Sequence, residues 1–492
     1  MTKVRFVNSP TDVKLIGCST ITGKHDDFEK IQASIYLAQL SPKRKLKDIY
    51  NSISDNQVEL VIDYILDEDP HQLEHTWLNF MINGTRIATM HEVSDHKSYT
   101  QKSQRYSTAA PESHIPHGVS GELFEEVFRP VVQAGFDLYY RMETPDSVEG
   151  VNKEDARDIL SLSTMTSIVS TRNTFDELQM IRSSMAKDKP FEIRRIGEQK
   201  YKILRKLAPM IFDEDMDILK RFPIKKNLTS LDYSNKYVEK VLEEINGLVE
   251  ESDIDIGYLD VPITPEEPGL MSGLAAMTTR DDRNFWGLLK AYENGEITLD
   301  RIKLVLGKVM DSGHTSVAEH DMYLIEDRSK KSLNHQKTRH RHIVDSYTPL
   351  DIAGQNFEYD MHPSIEKFGF KEEYDAHMQK IKEAFDTLKE HGIKEAYYIL
   401  PNAIKMDSYI TTNSTEIVYI LEKRLCKNAQ EPIRELFAKP LYRKMRIILP
   451  QVFDDAVPGC LKGRCREKWP CFDKKRGASR QMPYRSKDEL LH

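Results

Sequence analysis

The chain repeats itself. The stretch VIDYILDEDPHQLEHTWLNFMI, which carries Glu74-His75, returns 245 residues later as VLGKVMDSGHTSVAEHDMYLIE, which carries Glu319-His320. DARDIL at 155–160, followed by STRNTFDEL, returns as AYYIL at 396–400, followed by TTNSTEIVYIL, so that Asn173 and Asn413 stand 240 residues apart. Two separated blocks in the same order, at nearly the same spacing, point to a duplication rather than to a chance likeness of short amphipathic stretches.

The seam between the copies is expected between about 220 and 255, where KRFPIKKNLTS is followed by a helix-patterned run (NKYVEKVLEEINGLVEE) and a Pro/Glu-rich stretch, VPITPEEPG. This divides the chain into 1–225, 226–455 and a Cys-containing basic tail at 456–492. Within each copy the pattern is mixed α and β. MQKIKEAFDTLKEHG reads as an amphipathic helix closed by Gly392, LNFMI and MYLI read as strands, and FRPVVQAGF takes the place of IKEAFDTLKEHGI. The expected fold is α/β (mixed α+β), with two homologous domains, each a β-sheet packed with helices.

With 492 residues, 39% hydrophobic and 30% charged, the chain has the balance of a water-soluble protein large enough for several cores. A net charge of −8 argues against a nucleic-acid binder while leaving room for a local basic site. The first residues, MTKVRFVNSP, show no apolar signal segment, no run is long enough to cross a membrane, and KDEL at 487–490 is followed by two more residues. Five cysteines, an odd number, fit a reducing cytoplasmic setting.

Several clusters carry candidate chemistry. His71, Glu74 and His75 fit H-x-x-E-H, but the repeat reads His314…Glu319-His320, which breaks the metal spacing, so a helix start with a buried His-Glu pair is the better expectation and no metal site is assigned. Arg339-His340-Arg341 is the densest cationic cluster; guanidinium groups suit phosphates or an anionic ring, and a solvated helix end is the plainer alternative. Ser98 to Ser107 offers alternating hydroxyl and basic groups that fit either a nucleotide phosphate or a polar loop. Arg424 lies on a helix that otherwise faces a core, where a carboxylate partner is the usual arrangement. Cys460, Cys465 and Cys471 are spaced C-x4-C-x5-C, without the paired C-x2-C of a strong zinc site. They could bind metal with a fourth ligand, form one disulfide or do neither, the last being preferred. Cys426 reads as a helix packing residue.

Taken together the motifs resemble those of the flavin-dependent thymidylate synthases, the ThyX family. That family carries G-H-x-S-x-x-E-H, then Q-x-x-R-H-R, then a S-x-N-E-x-S-x-R-Y loop, and later L-P, N-A-R, L-R and A-Q-W-E-I-R. The second copy shows Gly313-His314-Thr-Ser316-Val-Ala-Glu319-His320 and Gln336-Lys-Thr-Arg339-His340-Arg341. It also shows Leu400-Pro401, Asn413, Arg424 and Ala429-Gln430-Glu-Pro-Ile433-Arg434. It lacks the loop after Arg341. The first copy has lost Arg-His-Arg near Val93-Ser94-Asp95 but keeps a loop, Ser98-Tyr-Thr-Gln101-Lys102-Ser103-Gln104-Arg105-Tyr106. The family's arginine before L-P is matched by Arg157 in the first copy and Tyr397 in the second, and Ser184 stands opposite Arg424.

In that family the pocket lies between subunits, so complementary losses imply one composite pocket per chain and a dead reciprocal one. The resemblance implies Arg424 as the catalytic residue. It implies Gln336, Arg339, Gln101, Lys102, Ser103, Gln104, Arg105 and Arg157 as substrate-binding residues, and Ser316, Arg339, His340, Arg341 and Asn413 as cofactor-binding. The implied reaction is reductive methylation of dUMP to dTMP, with FAD as cofactor and NADPH and methylene-tetrahydrofolate as cosubstrates. The implied partners are nucleotide and folate small molecules, with no nucleic acid and no membrane, in a cytoplasmic homodimer of four halves. Thr415, Tyr419 and Glu431 stand where the family has Arg, Asn and Trp, and Gln101 where it has Glu. Those changes leave open flavin-dependent methylation of another pyrimidine nucleotide, or a non-catalytic nucleotide-binding descendant.

Overall fold

The structure is a computed structural model that describes residues 3–8, 12–21, 27–40, 44–95, 98–102, 107–144, 149–212, 241, 245, 257–279, 281–465, 467, 470–471 and 481–491. Its strands, in chain order, are β1 (Arg5–Val7), β2 (Val13–Cys18), β3 (Trp77–Thr85), β4 (Ser98–Gln101) and β5 (Glu112–His114), followed by β6 (Met165–Asn173), β7 (Leu259–Ile263), β8 (Met322–Lys330), β9 (Ile343–Tyr347) and β10 (Lys405–Asn413). Two four-stranded sheets, β2-β3-β6-β4 and β7-β8-β10-β9, have the same order, and β1 pairs with β5 separately. The duplication extends to register. Trp77 faces Asn173 in the first sheet, and Met322 faces Asn413 at the equivalent place in the second.

Alternation places Leu78, Phe80 and Ile82 on the buried face of β3, and Tyr323 and Ile325 on that of β8. The equivalent helices Asp55–Glu68 and Leu299–Asp311 cover these faces with Val58, Ile62 and Ile65 in one half and Leu306 and Val309 in the other. At Asp327 and Ser329 the inner face of β8 turns polar, where β3 has Ile82 and Gly84. That difference prepares the site described below.

The halves meet about a local two-fold relation. Leu162 N donates to Leu400 O at 2.8 Å while Asn402 N donates to Leu160 O at 3.1 Å, and Ser163 N to Tyr398 O at 2.9 Å while Ala403 N donates to Asp158 O at 3.0 Å. Each bond is matched by its copy 240 residues on, as an interface between like surfaces requires. Beside it, helix Arg129–Met142 packs on helix Lys371–Glu390, joining Phe136 and Tyr139 with Met378, Ile381 and Phe385 in one core. A Cβ at Gly135 would stand 3.0 Å from His377 Nε2, so the helices approach where a side chain is absent. Across the same seam Lys330 Nζ lies 2.7 Å from Asp158, both wholly buried.

The helix expected over 378–391 is present and begins a further two turns earlier, as Lys371–Glu390, with Gly392 just beyond it at φ +73°. The His71-Glu74 pair is not buried as expected. Residues 70–75 form a 3-10 turn, and the 2.9 Å pair lies on the surface because a single turn at a sheet edge leaves both side chains facing water. The helix-patterned stretch at the seam lies almost wholly outside the described residues. Tyr484 and Leu490, late in the chain, pack into the second-half core. No helix among the described residues is long and apolar enough to cross a membrane.

Candidate functional site

β8 ends at Lys330 and the chain turns directly into helix Lys331–Lys337, all seven residues of which are buried. A lysine at its end is tolerable there only because the sheet supplies partners. Lys337 Nζ donates to both Asp327 oxygens at 2.6 and 2.8 Å, to Ser329 Oγ at 2.8 Å, to Asn334 Oδ1 at 3.0 Å and to Ser408 Oγ at 3.1 Å. The ammonium thus rivets the helix to β8 and β10. The short link that follows, leading to β9, leaves Arg339 and Arg341 exposed and His340 buried.

His340 is held from both sides. Its Nδ1 is 3.1 Å from Glu416 Oε1, and its Nε2 accepts from Arg424 Nε at 3.0 Å. A guanidinium can only donate, so Nε2 bears the lone pair and Nδ1 the proton that goes to Glu416. Burial pushes the imidazole below its ordinary pKa, and the charges of Arg424 and Arg339 act the same way against Glu416, which keeps it neutral. Arg424 also donates to Gln336 O at 2.8 Å. The partners of this half-buried arginine thus include a neutral imidazole and a main-chain carbonyl.

Residues of the first half complete the surroundings. Gln336 donates from Nε2 to Gln430 Oε1, which also accepts from Arg157 at 3.4 Å; Gln430 Nε2 in turn donates to Asp155 Oδ1 and Glu154 O, each at 3.2 Å. Arg341 donates to Ser98 Oγ at 3.2 Å, and Tyr99 OH to Thr338 O at 3.4 Å. Burial raises the Tyr99 hydroxyl, whereas Arg339, Arg341 and Arg424 pull it down, so β4 runs within reach of all three charges.

The remaining expected residues are spread around this centre. Gln101 donates to Thr89 Oγ1 at 3.0 Å within its own half. Asn413 caps helix Ser414–Arg424, accepting from Glu416 N at 2.9 Å. Ser316 is exposed in the turn Thr315–His320. Lys102 instead lines a polar cavity of about 450 Å³ with Arg5, Asp12 and Glu112. Ser103, Gln104 and Arg105 lie outside the described residues.

Sequence reasoning missed a buried cationic group. Arg86 and Lys331, both directly after a strand and 245 residues apart, are both buried. Burial, with Arg157 and Arg339 nearby, pushes Arg86 down to about 9, and burial with Arg86 pushes Lys331 down to about 8. His335 lies well below its ordinary range for the same reasons. Arg86 Nε donates to Asn402 Oδ1 at 3.1 Å, across the halves. A cation recurring at one place in both repeats was the available signal.

Two segments of the chain, 24–210 and 267–451, match the family described as "Thymidylate synthase complementing protein". The chain belongs to this family. It is a tandem member, with one match in each half. Curated relatives include the flavin-dependent thymidylate synthase of Geobacter sulfurreducens, 30% identical over 35% of this chain and 77% of that protein. The one of Sulfolobus acidocaldarius is 34% identical over 35% and 67%. Among solved structures, a UMP/dUMP methylase PolB from Streptomyces cacaoi bound with 5-Br dUMP is 17% identical, covering 44% of this chain and 97% of that one with a TM-score of 0.36.

Within this family member the two halves have diverged at matched places. Where the second half has Gln336, Lys337, His340 and Arg424, the first has His91, Glu92, Asp95 and Ser184. These are tied up internally. Arg172 pairs with Glu92 at 3.0 Å, Asp95 at 2.5 Å and Glu177 at 3.4 Å, Lys200 pairs with Glu92 at 2.9 Å and Glu177 at 2.8 Å, and His91 Nε2 meets Ser184 Oγ at 3.0 Å. The first half's groups are thus paired within that half, as Lys337 is within the second.

Proposed function

We propose that the protein is an FAD-dependent thymidylate synthase that methylates dUMP reductively to dTMP, using methylene-tetrahydrofolate and NADPH, at one composite site between its halves. The carrying observation is the bridge Gln336–Gln430–Arg157, which joins the second half's motif to the first half's arginine beside Arg424. Support also comes from the family match in both halves and from the relatives' names. A chain divided near 225, acting as a homodimer of four halves, goes with this reading.

The residues present fit an anionic cofactor and an anionic nucleotide. Two exposed arginines flank a neutral imidazole, and burial lowers the proton affinity of Arg86, Lys331 and His335, helped by nearby cations: Arg157 and Arg339 at Arg86, Arg86 at Lys331, and both Arg86 and Lys331 at His335. Arg339, His340, Arg341, Asn413 and Ser316 would hold FAD, which when bound supplies the hydride for the new methyl group. Arg157, Gln336, Gln101, Lys102, Ser103, Gln104 and Arg105 would hold the nucleotide, charge-assisted bonds fixing its phosphate.

Arg424 would stand at the pyrimidine and stabilise negative charge as the ring becomes nucleophilic. His340 and the Gln336 carbonyl hold its guanidinium in advance, so little reorganisation accompanies that step. Because His340 is neutral, it takes no positive charge away from that task.

A second reading, methylation of another pyrimidine nucleotide such as UMP, is favoured by Tyr419. Its ring packs edge-on against His340 at 5.5 Å, where the resemblance calls for Asn. The test is the absorbance spectrum of the purified protein with dUMP and with UMP. A flavin spectrum that shifts with dUMP alone supports thymidylate synthesis, and one that shifts only with UMP transfers the assignment. A protein that stays colourless after incubation with FAD refutes both.

A further inference from the structure

Four of the chain's five cysteines come to one place. Cys460, Cys465 and Cys471 lie late in the sequence; Cys426 follows helix Ser414–Arg424, and all four line one cavity of about 470 Å³. Only Cys18, on β2, lies elsewhere. Chance would scatter five residues among 492, and packing alone gives no reason to gather sulfur. All four thiols are free, so the cluster is not explained by a disulfide.

We propose that Cys426, Cys460, Cys465 and Cys471 are the ligands of a four-thiolate metal site of the tetrahedral kind that takes zinc. One of the four sulfurs already has a main-chain donor. Asn428 N donates to Cys426 Sγ at 3.5 Å, an amide-to-sulfur bond from two residues on that stabilises charge on sulfur. Between Cys460 and Cys465 the chain makes a tight turn: Gly463 N donates to Cys460 O at 3.3 Å and Arg464 N to Gly459 O at 2.8 Å, with Gly463 at φ +78°. That turn carries two thiols on one loop, as metal knuckles require.

Charge completes the argument. A divalent ion with four thiolates carries a net charge of about −2. The cavity wall holds Lys423, Lys427, Lys462 and Arg464 against Glu422 and Glu467, an excess of two positive charges. Among the described residues no three His, Cys, Asp or Glu side chains are already gathered tightly enough to hold an ion. The site therefore closes on its metal: neutral thiols gain nothing by converging, whereas zinc draws sulfurs to about 2.3 Å and releases their protons. Closure would pin the late segment to the end of the helix that carries Arg424, two residues before Cys426.

The test uses the full chain, purified reduced, equilibrated with zinc chloride and desalted. Elemental analysis should find about one zinc per chain, falling tenfold or more in Cys426→Ser and in Cys465→Ser, and unchanged in Cys18→Ser. Cobalt should give intense thiolate charge-transfer and visible bands. For the wild type, which needs no variant to fold, zinc should shield four of the five thiols from a thiol reagent. Equal thiol reactivity with and without zinc would overturn the proposal, as would zinc retained in Cys426→Ser, a disulfide among the four, or iron with sulfide in place of zinc.

Discussion

Arg424 donates its Nε hydrogen to Nε2 of His340 at 3.0 Å, and through that contact the tautomer of a buried histidine sets the plane of a guanidinium. The two come from segments 84 residues apart in sequence, one after a buried helix and one at the end of a helix packed on the second-half core. Without Arg424 the imidazole has a buried lone pair, and without His340 the guanidinium loses one of the contacts that direct it.

Arg424→Ala should therefore lower kcat by about 10²–10³-fold, the usual loss for one preorganised donor at developing charge. The far-ultraviolet circular dichroism should stay unchanged. Arg424→Lys should recover little, because an ammonium cannot reach imidazole and carbonyl together in a plane. Steady-state kinetics on the folded variants decides it, and normal turnover would end the assignment.

Arg341 is exposed and reaches Ser98 of the other half. Arg341→Ala should change stability by less than about 0.5 kcal/mol, as surface changes do. It should weaken FAD binding about tenfold, the scale of one charge-assisted bond. Flavin fluorescence titration beside thermal denaturation separates the two effects.

Asp158→Asn should be costly wherever ligands are absent. It strips Lys330, wholly buried, of its 2.7 Å partner and leaves only Asp360 at 3.2 Å. Breaking a buried pair of this kind costs about 3 kcal/mol. Urea denaturation should show a lower midpoint with an unchanged slope.

His377, between the helices that join the halves, should make the protein acid-sensitive. Burial, with Lys380 nearby, pushes it down to about 4 from its ordinary 6.5. Between those values the unfolded chain binds the proton and the folded chain does not, so stability falls as pH drops from 6.5 towards 4 and is fully present above 6.5. Comparing urea denaturation at neutral and acid pH, His377→Gln should gain on the wild type by up to about 3 kcal/mol on acidification.

Much of this was legible before any coordinates. The repeat at 245 and 240 residues predicted two like sheets, and β3 and β8, then β6 and β10, keep those offsets to the residue. Alternating apolar residues carry that signal because a strand faces its core at every second position. Arg339, His340, Arg341 and Arg424 stood out for a similar reason: buried or clustered charge needs a partner, and a motif fixes which one. Arg86 and Lys331 went unnoticed because a lone cation after a strand looks like any surface residue until burial is known. The His71-Glu74 pair misled, since spacing alone says nothing of exposure.

Local pattern and residue identity are enough to specify the duplication, the class of each half and the complementary loss of motifs between them. Which residues meet across the halves follows from packing: Gln430 with Arg157, and Arg341 with Ser98. Such contacts join positions up to 273 residues apart. No periodicity encodes them, because they arise only when two cores pack about a shared axis and bring side chains of opposite halves within hydrogen-bonding distance.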